Sequence, residues 1–105
     1  MAHRLLDQER LSKVFGLYRT ITKSHWKDPK IDDVNKSLEA KDRYEFITGP
    51  MDKWATKFVI TKDRAEGLDN FNFHIEVNPV LPPALKKHAD MFVEKFKTAY
   101  SRLDA

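Results

Sequence analysis

Two spacings in this chain match fragments of known catalytic chemistry. His74-Ile75-Glu76 has the spacing of the His-x-Glu half of a zinc deaminase site, in which the glutamate moves protons beside the metal. That site also needs a pair of cysteines, and the chain has none. On a strand, residues 74 and 76 share one face, where a His–Glu pair is a solvated neighbour pair. The only Glu-x-Lys triplet is Glu39-Ala40-Lys41. On a strand next to a further acid, such a pair holds a divalent ion while the lysine polarises water, as in metal-dependent nucleases. Here it falls at the end of a predicted helix, and Asp63, Glu66 and Asp69 lie in a stretch without glycine-framed ligand spacing. His88 sits one position before the apolar stripe of the last predicted helix, as a surface side chain. Ser12, Ser24, Ser37 and Ser101 show neither a nucleophile elbow nor the partner motifs that a Ser-x-x-Lys site requires. Gly16, Gly49 and Gly67 are too far apart for a phosphate-cradling loop. The expectation is a protein without enzymatic activity, cofactor or metal.

Binding chemistry is better represented. Tyr18, His25 and Trp26 are interleaved with Arg19, Lys23 and Lys27. This mixture suits either a protein interface, where Trp and Arg make hot spots, or bases and phosphates. The competing assignment makes Tyr18 a core residue and Trp26 a plug between two helices. Arg19, Lys23, Trp26 and Lys27 are the candidate partner-binding residues.

The elements that position these residues follow from periodicity. Leu11, Val14, Phe15, Tyr18 and Ile21 recur in steps that draw one helical stripe and predict a helix over 4–23. Asp28-Pro29 predicts the cap and first turn of a second helix over 29–40, with Ile31, Val34 and Leu38 on its buried edge. The period then changes to two. Tyr44 and Phe46 precede a Gly49-Pro50-Met51-Asp52 turn, and Trp54, Thr56, Phe58 and Ile60 follow it, which predicts a hairpin. Phe71, Phe73, Ile75 and Val77 alternate with polar residues as a third strand. Pro82-Pro83 opens a last helix whose stripe is predicted as Leu85, Ala89, Phe92, Phe96, Ala99 and Leu103. The aromatic sheet face must be covered, since each wet ring would forgo roughly 2 kcal/mol. The predicted fold class is α+β: a three-stranded antiparallel sheet with helices packed on one face, in the order α-α-β-β-β-α.

At 105 residues, with 41% hydrophobic and 33% charged side chains, the chain is expected to be a single compact domain, 1–105, with no membrane span. The absence of cysteine and of an apolar leader after Met1 points to the cytoplasm. Nineteen basic against sixteen acidic residues give a net charge of +3, and the basic excess is uneven. Residues 10–30 hold Arg10, Lys13, Arg19, Lys23, Lys27 and Lys30 against Asp28 alone. Solvated helix faces account for such charge, and so does a surface that steers an anionic partner.

Tyr44-Glu45-Phe46 through Gly49-Pro50 to Phe58-Val59-Ile60, with Lys86-Lys87-His88-Ala89 at the last helix, loosely resembles a double-stranded-RNA-binding domain over about half the chain. The resemblance implies phosphate contacts at Lys86 and Lys87. The chain departs from that family in having Met51-Asp52 where a histidine follows Gly-Pro, and Pro82-Pro83 in place of a glycine-rich approach to the helix. The leading expectation is a small protein that binds another protein, as a regulator, inhibitor or adaptor. Homodimerisation through a sheet edge or the last helix is open to it, and nucleic-acid binding at Lys86 and Lys87 is the alternative.

Overall fold

The computed structural model describes residues 5–47, 55–63 and 70–103. The element order is α1 (Gln8–Ile21), α2 (Ile31–Lys41), β1 (Arg43–Ile47), β2 (Thr56–Asp63), β3 (Asn70–Val77) and α3 (Pro83–Leu103). The strands form one antiparallel sheet in the order β1-β2-β3, and the helices pack on a single face. The α+β architecture is the one the periodicity predicts. Gly49 to Asp52, the predicted turn, and Trp54 lie outside the described residues.

Helix α1 is shorter than 4–23. Asp7 caps it, accepting from the Glu9 N–H at 2.6 Å, and the helix ends in a Schellman-type turn with Ser24 N–H donating to the Arg19 carbonyl at 3.0 Å. The left-handed residue of that turn is Lys23, with φ 53°. The α2 cap also differs from expectation. Lys30 stands at the cap without a side-chain bond, because Asp28 is spent on Arg19 and Ser12. Asp32 and Asp33 in the first turn and Lys41 in the last still complement the dipole of α2. Asn35 docks the chain ahead of α1 onto α2, bonding both the N–H and the carbonyl of Leu6 at 2.7 and 2.9 Å.

Pairing sets Tyr44, Ile60 and Phe73 in one row and Phe46, Phe58 and Ile75 in the next, all on the helix-covered face. Phe58 is the hub. Its ring meets Phe15 edge-on at 5.3 Å and Phe96 at 6.0 Å, with Tyr18 at 5.4 Å and Phe73 at 6.1 Å tilted against it. The Tyr18 hydroxyl is paired with that of Thr56 at 3.1 Å, so this buried tyrosine leaves no orphaned polar atom. At the far end of the face, the mostly buried Lys62 holds its ammonium 5.9 Å above the Phe71 ring.

The predicted stripe of α3 needs correction. Ala89 and Phe96 are buried, and Val93 and Tyr100 pack against the core. Leu85 is 56% exposed, and Phe92 is only partly covered, its ring set edge-on to His88 at 4.8 Å. Ala89 lies between them and is buried, so the difference is one of facing: the covered line runs through Ala89, Val93, Phe96 and Tyr100, and Leu85 and Phe92 lie to one side of it. The helical period alone does not fix which line of α3 is turned to the sheet.

Candidate functional site

The connection from α1 to α2 is folded back along α1 by a polar clip. Arg19 Nη1 donates to Asp28 Oδ1 at 2.8 Å and to the Trp26 carbonyl at 3.0 Å, and the guanidinium lies 5.5 Å from the centre of the Phe15 ring. Ser12 Oγ donates to the other Asp28 oxygen at 2.8 Å. Asp28 therefore ties the connection to α1 at two points. A two-point tie between partly exposed groups contributes modestly to stability, but it fixes the path of residues 24–28.

Trp26 is presented by this fixed path. Its ring meets Phe46 edge-on at 6.3 Å and remains 44% exposed, so it is neither a core residue nor a sealed plug. Lys23, His25, Trp26 and Lys27, with Arg19 beneath, line one open depression of about 630 Å³. The structure thus brings together the four residues expected to bind a partner, with a division of labour the sequence does not show. Arg19 is engaged internally, whereas among the described residues neither Lys23 nor Lys27 meets a carboxylate. Lys86 and Lys87 are exposed near the start of α3, outside that depression, and the first turn of α3 carries no acidic residue.

His74 and Glu76 are neighbours on the face of the sheet opposite the helices, with Nε2 and Oε2 at 3.0 Å. They belong to a larger lattice. Arg43 Nη2 donates to both Glu76 oxygens at 2.9 and 2.8 Å and to Glu45 at 3.0 Å, and Lys57 pairs with Glu45 and, at 3.5 Å, with Glu76. Beneath these side chains Val59 is fully buried. Burial pushes the Glu76 carboxyl up, but hydrogen bonds from His74 and Arg43 and the charges of Arg43 and Lys57 outweigh it and hold it at about 2. The Lys57 hydrogen bond lowers Glu45 in the same way, against a smaller opposing effect of burial. Each acid is met by fixed cations at hydrogen-bonding distance, which makes the lattice a cover for Val59. The sequence discloses only the His74–Glu76 pair, because the other members come from β1 and β2 and meet it only through the register. Among the described residues no group of three His, Asp or Glu side chains is arranged to hold a metal ion, and no helix is long and apolar enough to cross a membrane.

No family model, curated protein or solved structure matches this chain.

Proposed function

We propose that this chain is a non-enzymatic, cytoplasmic binding module that recognises another protein through the α1–α2 connection. The observation that carries the reading is Trp26, half exposed and held in place by the Arg19–Asp28 clip, with Lys23, His25 and Lys27 around it. A rigid aromatic surrounded by polar side chains is the usual composition of an interface hot spot, and fixing it beforehand lowers the entropy lost on binding. Lys23 adds a second reason. A lysine in the left-handed region costs about 1 kcal/mol relative to glycine, so the turn carries a charge at the expense of stability. Lys23 and Lys27, which meet no carboxylate among the described residues, favour a partner with carboxylates at the rim and an apolar group over the indole. Trp26 and Lys27 contact that partner, Lys23 draws it in, and Arg19 positions the indole.

The test is affinity capture from the native host with immobilised wild-type and Trp26→Ala chains, with and without nuclease treatment. A protein retained by the wild type, lost from Trp26→Ala and indifferent to nuclease supports the reading. Retention that depends on nucleic acid and not on Trp26 overturns it. That second outcome belongs to the nucleic-acid reading, favoured by one observation: Lys86 and Lys87 lie near a helix start that carries no acid, where a phosphate would find both cations and backbone dipoles.

A further inference from the structure

The pairing of the strands fixes which backbone groups face outward. Lys62 N–H donates to the Asp42 carbonyl at 2.9 Å, in register with the β1–β2 ladder, so 42 and 62 form a hydrogen-bonded pair. Such pairs alternate along an antiparallel ladder, so residues 58, 60 and 62 bond to β1 while 57, 59 and 61 bond to β3. Asn78 N–H donating to the Ala55 carbonyl at 3.0 Å obeys the same alternation on the other side. On β3, Asn72, His74 and Glu76 therefore bond inward to β2. Phe73, Ile75 and Val77 turn their N–H and carbonyl groups away from the sheet. Among the described residues nothing bonds to those groups. The other edge is different, since α2 packs beside β1 and Ser37 Oγ donates to the outward carbonyl of Arg43 at 2.6 Å.

Helix α3 decides what can occupy this edge. It packs along β3. Phe96 faces Phe58 of β2, and Tyr100, a little further round the helix, faces Phe73 of β3. Continuing in the same sense, Val93, Lys86, Lys97 and Asp90 come next, so this flank overlooks the lane beyond β3. A second copy pairing antiparallel through β3 would bring its own α3 over the same lane, where the two helices would compete for one space. A single extended segment brings no helix. The flank above it carries Val93 between Lys86 and Lys97, with Asp90 as the only carboxylate among the four, and among the described residues Lys97 is held only by Glu94 at 3.9 Å.

We propose that the edge of β3 from Phe73 to Val77 is a second protein-binding surface, which takes up one extended segment of a partner chain as a fourth strand. Backbone bonds to Phe73, Ile75 and Val77 supply the affinity, as in other cases of strand addition. Side chains that turn under α3 supply the selectivity, aliphatic beneath Val93 and acidic opposite Lys86 and Lys97. This surface is distinct from the Trp26 depression and does not depend on it.

The experiment uses the full chain and two blocked heptapeptides, Glu-Thr-Val-Thr-Val-Thr-Glu and its counterpart with lysine at both ends, followed by amide hydrogen exchange. The acidic peptide should slow exchange by about tenfold at Phe73, Ile75 and Val77, with no change at Asn72, His74 and Glu76, whose amides are already in the ladder. The basic peptide at equal concentration should give no protection. The double variant Lys86→Glu, Lys97→Glu changes only exposed side chains and should reverse that preference. Trp26→Ala should leave the protection intact, which separates this surface from the one proposed above. Absence of protection with the acidic peptide, equal protection by both peptides, or a chain that is already dimeric with these three amides protected would each overturn the proposal.

Discussion

Phe96 is fully buried and Phe73 nearly so, and both meet Phe58, whereas among the described residues Phe92 has only His88 as an aromatic neighbour. Phe96→Ala and Phe73→Ala are each expected to cost about 3–5 kcal/mol, and Phe92→Ala only about 1 kcal/mol, in denaturant unfolding. Comparable losses for Phe92 and Phe96 would contradict the placement of α3. At Lys23 the expected sign is opposite. With φ 53° at the end of α1, Lys23→Gly relieves the left-handed strain and should raise stability by about 1 kcal/mol. The same substitution removes a cation from the rim of the Trp26 depression, so a more stable protein with weaker partner binding is expected when melting and capture are measured together. The two effects coincide at one position because the residue that closes the helix also lines the proposed binding depression.

At the scale of elements, the lattice across β1, β2 and β3 makes stability depend on pH. The Glu76 carboxyl is held at about 2 and that of Glu45 is lowered, while both titrate near the ordinary value of about 4.3 once unfolded. A depressed carboxylate contributes stability above its unfolded value and loses it as pH falls toward the folded value. Thermal melts should therefore be flat above about pH 5 and fall as pH drops from about 4.5 to 2. Both carboxylates are about a third exposed, at 34% and 32%, so solvent screens the effect and the slope should be modest. Glu76→Gln should lower the melting temperature near neutrality and flatten the acid limb. An unchanged acid limb in that variant would show that other groups carry the dependence. The α1–α2 connection gives a second expectation at this scale. Asp28→Ala unties it from Arg19 and Ser12, and it should cost little stability but weaken any partner that needs Trp26 prearranged.

For the molecule as a whole, the two functional readings differ in how salt acts. Binding through Trp26 buries an aromatic anchor worth about 2 kcal/mol or more, and salt then acts mainly on the association rate. Binding at Lys86 and Lys87 would release counterions from phosphates, so affinity would fall steeply with salt, and removing each lysine would flatten the slope by about one unit. A salt titration of any captured partner, repeated with Trp26→Ala and with Lys86→Ala plus Lys87→Ala, separates the two. Weak salt dependence with strong dependence on Trp26 is the expected pattern. The two surfaces proposed for protein contact, the Trp26 depression on Phe46 of β1 and the outward groups of Phe73, Ile75 and Val77 on β3, lie at opposite edges of the sheet.

Periodicity alone determined the element order, the α+β class and the aromatic inner face, because the helical and strand periods are local properties of apolar spacing. The interleaving of Trp26 with Arg19, Lys23 and Lys27 was equally legible, since those residues lie within nine positions of one another. Tertiary structure decided what each of them does. Asp28 reads as a helix cap and instead clasps Arg19, because a fold-back of the connection offers it two side-chain donors in place of backbone N–H groups. Leu85 and Phe92 read as core, but the line of α3 that meets the core runs through Ala89, Val93, Phe96 and Tyr100 and leaves both to one side, a rotation of the helix that the apolar period does not fix. The lattice around Glu76 and the outward amides of Phe73, Ile75 and Val77 depend on strand register. Register is set by which side chains can share the core, and it places residues dozens of positions apart within hydrogen-bonding distance.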